Sequence, residues 1–279
     1  MNSKCPICLI GTSTVLYRKL VWNKYNIKIN KCNNCDFIYK DSIMSDVELN
    51  EFIFEEYYKS KDVGSDINKR FIRHFKRRAK DHKKLISRYF DEGSRGRVLD
   101  VGCGAGFFLD EMRKIGWKTF GIEPSRECYE YATNNLNLNV FRGLFNDYPV
   151  DKKFDLIYFS HVFDDLPNIL HVLEKIKELL KVNGKIFIEV PNFKGYKNFN
   201  SIKQGDLLEN SYYFTHLSLK NLIDTNGFEI NYLETHQPVY LNTVLQYLQS
   251  PILFLKRFFV PFDYKEHIRM VASVDNSNL

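Results

Sequence analysis

Four of the six cysteines occur as two C-x-x-C pairs near the N-terminus, Cys5/Cys8 and Cys32/Cys35. Each pair can direct two thiolates to one ion, and both pairs together complete the closed tetrahedral site that holds structural zinc. Such a site has no open position, so the predicted metal stabilises a module that is too small to build its own core. One pair at the start of a helix would be enough for redox chemistry, and the second pair therefore favours a metal site.

Three glycines, Gly102, Gly104 and Gly106, follow an apolar segment and precede a helix-like segment. Glycine lets the backbone turn sharply and approach a ligand, and a helix N-terminus favours an anionic group. Glu123 ends the next predicted strand, where a carboxylate can accept hydrogen bonds from ribose hydroxyls. Because the glycines are spaced G-x-G-x-G rather than G-x-G-x-x-G, the sequence favours a nucleoside cofactor without a pyrophosphate.

The elements that position these residues follow from hydrophobic periodicity. From Arg97 onward, strand-like and helix-like segments alternate, which predicts a parallel sheet with helices on both faces. Residues 67–90 have the periodicity of a long basic helix, and two short strands are predicted between the cysteine pairs. A short helix is predicted over residues 45–60.

Residues 97–236 resemble class I S-adenosylmethionine (SAM)-dependent methyltransferases. VLDVGCGAGFFL matches the glycine motif of that family, and GIEPS matches its ribose motif. FDLIYFSHVFDDLPN and LLKVNGKIFIEVPN match the fourth and fifth strands, and YYFTHLSLKNLIDTNGF is similar to the stretch before the sixth. The resemblance implies an α/β fold with a mostly parallel, Rossmann-like sheet of seven strands, and SAM as cofactor.

The resemblance also implies a role for each matched residue. Asp100 orients the methionine amino group through water, and Glu123 holds the ribose. The residues that line the methionine moiety are Gly102, Cys103, Gly104 and Gly106. Leu144 and Phe145 flank the adenine, and Ser160 and His161 contact the amino end. From its own chemistry, Cys103 is interpreted as a small, partly buried loop residue rather than a nucleophile.

The domain prediction has three parts. Residues 1–44 form a zinc-ribbon-like module, residues 45–92 a helical linker or cap, and residues 93–279 the methyltransferase domain. The order CPIC, C-x-x-CDFIY and EEYY before that domain is similar to bacterial methyltransferases of sugar, O-antigen, capsule and secondary-metabolite pathways. Related sugar C-methyltransferases are longer at the C-terminus, so O- or N-methylation is expected.

No general base stands at either of the usual family positions. Many relatives have Glu-His after the fourth strand, where this chain has Asp164 and Asp165. Many also have a histidine before the YYFT-like segment, where this chain has Asn210. The candidates for the base are therefore His161, Asp164, Asp165 and His216.

Two segments could bind a partner, but their sequences do not decide which kind. The net charge is +6, and the basic helix could bind nucleic acid, acidic lipid headgroups or a nucleotide-linked sugar, or could present a solvated face. Residues 239–262 are apolar, but polar residues interrupt them too often for a membrane span. They predict an insertion of short helices that covers the acceptor or pairs with another subunit, or alternatively a peripheral membrane contact.

The sequence therefore predicts a SAM-dependent methyltransferase with structural zinc. Because the N-terminus lacks the apolar core of a signal peptide, a cytoplasmic location is expected. The expected acceptor is a small molecule or a sugar, such as a nucleotide- or lipid-linked sugar of surface polysaccharide synthesis. The alternatives are an RNA methyltransferase and a non-catalytic SAM-binding or zinc-dependent interaction protein. The oligomeric state stays open.

Overall fold

The computed structural model describes residues 4–21, 25–41, 69–91, 93, 95–195, 204–236 and 266–275. The helix predicted at 45–60 and the apolar insertion predicted at 239–262 lie outside these residues. In chain order the strands are β1 (Ser13–Val21), β2 (Tyr25–Cys32), β3 (Ile38–Lys40), β4 (Arg97–Val101), β5 (Lys118–Ile122), β6 (Val140–Phe141), β7 (Phe154–Ser160), β8 (Leu180–Pro191), β9 (Tyr212–Tyr213), β10 (Phe228–His236) and β11 (His267–Val274). The helices are α1 (Lys69–Ile86), α2 (Phe107–Lys114), α3 (Arg126–Glu130), α4 (Ile169–Leu179), α5 (Gln204–Glu209) and α6 (His216–Thr225).

Seven strands form one sheet in the order β10-β11-β8-β7-β4-β5-β6. β11 pairs antiparallel with β8 and β10, and the pairings from β8 to β6 are parallel. This arrangement confirms the predicted mostly parallel, seven-stranded, Rossmann-like sheet. The strand order reverses between β4 and β7, and ligands of open α/β sheets bind at such a switch point, beyond the carboxyl ends of the strands.

Apolar side chains cover both faces of this sheet. Alternate strand residues point to opposite faces, so Leu99 packs with α4 and α6 while its neighbour Val98 packs with α1 and α2. The face with α4 and α6 also buries Cys5 and Cys32, which belong to the N-terminal cysteine segment. The cysteine segment therefore shares a core with the large sheet.

A second sheet has the order β1-β2-β3-β9, and its pairings are antiparallel. The strands β1 and β2 are the two that the sequence predicts between the cysteine pairs. β9 comes from much later in the chain, and its Tyr212 lies opposite Tyr39 of β3. Backbone pairing thus ties the segment of the cysteines to the segment that follows α5.

Two element boundaries differ from those that the sequence pattern predicts. The pattern of LPNILHVLEKIKELLKVNG predicts a helix that runs to residue 184, but α4 ends at Leu179, because Leu180 is already extended and β8 begins there. The pattern of LNVFRGLF predicts a strand over residues 138–145, but β6 is two residues long and is followed by a 3-10 turn at Phe145–Asp147. The basic helix predicted over residues 67–90 agrees with the structure, since α1 and the 3-10 turn at Ser87–Tyr89 together cover residues 69–89.

Among the described residues, no helix combines the length and apolarity needed to cross a membrane.

Candidate active site

A cavity of about 300 Å³ opens at the carboxyl ends of β4, β5 and β7. Its walls include the glycine loop after β4, the ends of β5 and β7, the 3-10 turn after β6, the helices α1 and α2, and the end of α5. The predicted site residues that line it are Asp100, Gly102, Cys103, Gly104, Glu123, Leu144, Phe145, Ser160, His161 and Asp165. Gly106, Asp164 and His216 are not among its lining residues.

The glycine loop is held in a left-handed turn beside the cavity. The φ angle of Gly102 is +69°, and a Cβ there would lie 2.4 Å from Cγ2 of Val162. The backbone N–H groups of Gly102 and Cys103 both donate to the carbonyl oxygen of Ile122 at 2.9 Å, which folds the loop onto the end of β5. At Gly104 a Cβ would meet nothing within 4 Å, so this glycine leaves its backbone open to a ligand.

Gly106 serves the packing of the loop rather than its open side. It precedes α2 with a φ of +80°, and a Cβ on it would lie 2.4 Å from Cδ1 of Leu138. Side chains other than glycine are strained at such a φ and would also collide with Leu138. Gly106 therefore allows α2 to begin directly behind the cavity wall.

Glu123 is fixed by two backbone donors at the end of β5. Its carboxylate accepts hydrogen bonds from the N–H of Gly104 at 2.7 Å and from the N–H of Ser125 at 2.8 Å. A carboxylate can accept further hydrogen bonds at its remaining lone pairs. Glu123 is therefore held in place and can still receive hydroxyl donors from a ligand in the cavity.

Two buried groups at the end of β4 have raised pKa values. Burial raises the pKa of Asp100 well above its usual range, and the charge of Glu123 acts in the same direction. Burial and the charge of Asp100 also raise the pKa of Cys103. A neutral thiol is a poor nucleophile, and this favours the structural interpretation of Cys103.

Arg78 of α1 also lines the cavity. Its guanidinium donates to Oγ of Ser160 at 2.6 Å and lies 2.7 Å from Oε1 of Glu189. The sequence interpretation treated α1 only as a basic helix and did not single out Arg78. The sequence does contain one indication of this role. Arg78 follows Phe75 by three residues, so the two side chains share a face of α1, and that face lines the cavity.

Glu189 is the centre of a buried ion-pair network behind this wall. Arg269 and His82 contact its Oε2, and the His82 ring nitrogen Nε2 lies 3.0 Å away. Burial acts to raise the pKa of Glu189, but the charges of His82 and Arg78 hold it well below the usual range. The sequence interpretation missed Glu189, because a glutamate within an apolar strand does not reveal partners distant in the chain.

His161 is the first residue after β7 and has a left-handed backbone, with a φ of +57°. Its N–H donates to the carbonyl oxygen of Glu189 at 2.8 Å, and its Nε2 lies 3.3 Å from Glu189 Oε1. Burial and the charge of Arg78 lower the pKa of His161 to about 3. His161 is thus a neutral imidazole on the cavity wall near neutral pH, with a carboxylate beside it.

These features match a known family. A family model described as a methyltransferase domain matches residues 71–233, which is more than half of the chain. The chain belongs to the methyltransferase-domain family. A curated relative from Staphylococcus carnosus, named an uncharacterized methyltransferase, is 26% identical over 163 residues that cover 54% of this chain and 79% of the relative.

Solved structures share the fold of this methyltransferase. A SAM-dependent methyltransferase from Mesorhizobium loti superposes with a TM-score of 0.53 at 16% identity, covering 68% of this chain and 95% of the other. The plantazolicin methyltransferase solved with S-adenosylhomocysteine (SAH) gives a TM-score of 0.56 at 18% identity, covering 82% and 94%. At these identities the likeness shows the class I fold.

The candidate bases of the methyltransferase are not all on the cavity. His161 and Asp165 line it. The side chain of Asp164 accepts a hydrogen bond from Asn210, and its backbone oxygen accepts from the N–H groups of Ser211 and Tyr212. His216 is the first residue of α6. Asp164 therefore holds the chain before β9.

The four paired cysteines converge in one cluster, outside the segment that matches the family model. Their Sγ atoms all lie within 4.8 Å of one another. The N–H of Ile7 donates to Cys5 Sγ and the N–H of Asn34 donates to Cys32 Sγ, both at 3.4 Å. Each pair thus forms a turn in which a backbone N–H points at the sulfur of its first cysteine. Such donors stabilise the thiolate form that binds a metal.

Proposed function

We propose that this methyltransferase binds SAM in the cavity and transfers its methyl group to a small acceptor. The observation that carries the proposal is that the cavity gathers predicted cofactor residues from the glycine loop, the end of β5, the turn after β6 and the end of β7. In this proposal Glu123 binds the ribose hydroxyls, and Asp100 attracts the methionine ammonium. The open backbone at Gly104 lies along the methionine moiety, and Leu144 and Phe145 contact the adenine.

Arg78 supplies a cationic group on the same cavity wall. SAM carries a carboxylate beside its ammonium, and a guanidinium suits a carboxylate through paired N–H donors. Glu189 and Ser160 restrict the rotation of Arg78, so little side-chain entropy is lost when a ligand binds. We propose that Arg78 pairs with the SAM carboxylate while Asp100 attracts the ammonium.

The transfer is an in-line displacement at a sulfonium methyl group. The protein must align the acceptor atom with the methyl carbon and exclude water. A hydroxyl or amine acceptor also loses a proton, and His161 is the proposed residue that takes it. The neutral ring can accept a proton, and Glu189 Oε1 at 3.3 Å raises the pKa of His161 against the burial and the Arg78 charge that lower it to about 3.

The proposed acceptor is a small molecule or a sugar, methylated on oxygen or nitrogen. The cavity is concave and has a volume in the range of small-molecule sites, and part of it would be filled by the cofactor. A nucleotide- or lipid-linked sugar of surface polysaccharide synthesis stays within this proposal. One solved neighbour is named as a plantazolicin methyltransferase, which fits an acceptor other than RNA.

We further propose that the cysteine cluster holds one structural zinc ion within an N-terminal module, residues 1–44. Four thiolates suit zinc, and a closed set of four ligands leaves no position for catalysis. Burial opposes ionisation of Cys8, but the Ile10 N–H and the Cys32 thiol lower its pKa to about 7 by hydrogen bonding. One cluster thiol is therefore ready to ionise near neutral pH.

RNA methylation is the second candidate, and the outer face of α1 favours it. Exposed basic residues on that face are Arg73, Lys76, Arg77, Lys80 and Lys84. Such a stripe can bind a phosphate backbone. Nucleic acid that copurifies with the protein and accepts labelled methyl groups would favour this candidate over a small acceptor.

The test of the proposed function is transfer of a labelled methyl group. Purified protein is incubated with methyl-labelled SAM and a small-molecule extract of the source cells, from which protein and nucleic acid have been removed. Label should enter a small-molecule fraction with the wild type and with Glu130→Ala, which alters an exposed acid, but not with Glu123→Ala. SAH binding without transfer to any fraction would instead indicate a non-catalytic SAM-binding protein.

A further inference from the structure

The last residue of β3, Lys40, is a lysine with only 1% of its surface exposed. Lysines are seldom buried this deeply unless their ammonium has partners. The Lys40 ammonium donates to the backbone carbonyl oxygen of Leu208 in α5. Lys40 therefore extends from the small sheet, next to the cysteine cluster, into the chain segment that leads to β9.

Two acidic residues near this ammonium line the cavity. Burial lowers the pKa of Lys40 to about 8, and the charges of Asp165 and Glu209 oppose that shift. Asp165 follows β7, Glu209 ends α5, and both are lining residues. The charges of both carboxylates thus act on the buried ammonium, and the two acids belong to different segments that line the cavity.

Hydrogen bonds of the backbone also join β3 to the segment of Asp165. The N–H of Lys40 donates to the carbonyl oxygen of Ser211 at 2.9 Å. The Ser211 hydroxyl in turn donates to the carbonyl oxygen of Asp165 at 3.0 Å. A continuous set of hydrogen bonds therefore runs from β3 through Ser211 to the backbone of Asp165.

The acidic end of the cavity lies outside every proposed cofactor motif. Asp165, Leu166 and Glu209 line the cavity but belong neither to the glycine loop nor to the ribose or adenine segments. With the cofactor bound along those segments, this end stays available to the acceptor. Ionised carboxylates only accept hydrogen bonds, so they recognise a ligand that presents hydroxyl or amine donors.

We propose that Lys40 is a positioning residue for acceptor binding, and that Asp165 and Glu209 bind the hydroxyl or amine groups of the acceptor. Lys40 acts through its hydrogen bonds to Leu208, which precedes Glu209, and to Ser211, which bonds to the backbone of Asp165. The inference rests on the proposed methyl transfer and extends it, since it assigns a part of the acceptor site to the module of the cysteines. It also favours an acceptor rich in hydrogen-bond donors, such as a sugar or an amine. The plain alternative is that Lys40 only joins β3 to α5.

The test measures acceptor use and cofactor binding separately. Methyl-labelled SAM is held at saturation while the small-molecule extract is diluted in series, and the half-saturating amount of extract is determined. SAH affinity is measured by calorimetry on the same proteins. The variants are Asp165→Asn, Glu209→Gln, Lys40→Met and Lys40→Arg. The controls are Lys28→Met, which removes an ion-paired lysine of the small sheet, and Glu229→Gln, which alters an exposed acid of β10.

Asp165→Asn, Glu209→Gln and Lys40→Met should each raise the half-saturating amount about tenfold, the effect of losing a hydrogen bond to a charged group. SAH affinity should stay within about twofold of the wild type. Lys40→Arg keeps the charge and should recover part of the loss. In a chain that already carries Asp165→Asn and Glu209→Gln, Lys40→Met should add little, because residues that act as a unit are not additive.

Three results would overturn the inference. If Lys40→Met left the half-saturating amount of extract unchanged, Lys40 would only join β3 to α5. If Lys40→Met raised the half-saturating amount by the same factor in the chain that already carries Asp165→Asn and Glu209→Gln, Lys40 would act independently of the two acids. An equal loss of SAH affinity would assign the acids to the cofactor. If the wild type transfers no label at all, the proposed function fails and takes this inference with it.

Discussion

At the scale of single residues, the site depends on two buried acids that face the same cavity. Asp100 is the next-to-last residue of β4, beside the glycine loop, and the charge of Glu123 adds to burial in raising the pKa of Asp100. A cationic ligand reverses this balance, because an ammonium near Asp100 favours the ionised carboxylate. The empty cavity and the ligand-bound cavity should therefore differ in proton affinity at Asp100.

This difference predicts how SAH affinity changes with pH. As the pH is lowered across the measured range, Asp100 takes up a proton at a higher pH than an ordinary carboxyl does, and the ammonium of SAH then loses its partner. SAH affinity should therefore fall with the pH in the wild type. Asp100→Asn should bind SAH more weakly at the upper end of the range and show a flatter profile in calorimetry. Equal slopes in the two proteins would assign the pH dependence to another group.

Residue types and local spacing made part of the site predictable. The glycine loop and Glu123 lie within about 20 residues of each other, so one strand, one loop and the next strand contain their geometry. Arg78, Glu189 and Lys40 gain their roles from contacts distant in the chain. His82 meets Glu189 across 107 positions, and Lys40 meets Leu208 across 168. No local pattern encodes such contacts.

At the scale of elements, α1 shows the same limit. Its length, charge and apolar stripe follow from periodicity, and the structure has the helix where the sequence predicts it. Periodicity does not tell which strand ends the helix will cover, and α1 was not expected to line the cavity. β9 could not be predicted at all, because two residues are too few to show a strand period.

The position of α1 predicts that adjacent arginines differ sharply in importance. Arg78→Met removes the cation that contacts Ser160 and Glu189, so SAH affinity should fall roughly 10- to 100-fold, as expected for a lost charge-assisted pair. Arg77→Met changes the exposed neighbour and should leave SAH affinity unchanged. Calorimetry on both variants checks this. Equal SAH affinities in the two variants would remove α1 from the site.

At the scale of the whole molecule, the cysteine segment and the large sheet are one packing unit. Cys5 and Cys32 are buried in the same hydrophobic cluster as Phe214 and the residues of α4. Phe37 packs edge to face on Phe214, with ring centroids 5.5 Å apart. Loss of order at the cysteine cluster should therefore reduce the stability of the whole protein, not only that of the first 40 residues.

The proposed zinc ion makes this expectation measurable. The wild type should contain about one zinc ion per chain by elemental analysis, because four cysteines complete one closed site. Cys32→Ser should lose the metal and lower the unfolding temperature. Cys128→Ser alters a buried cysteine outside the cluster and should keep the zinc. If Cys32→Ser kept both the metal and the stability of the wild type, the structural zinc site would be excluded.

The central claim is that the cavity beside Glu123 is shaped for the adenosyl group of SAM. The most direct measurement is calorimetric titration of the wild type, Glu123→Ala and Glu130→Ala with SAH. The claim predicts saturable binding by the wild type and Glu130→Ala, and a loss of about tenfold or more in Glu123→Ala, because both ribose hydroxyls lose a charged acceptor. No heat of binding with the wild type, or equal affinity in all three proteins, would contradict it.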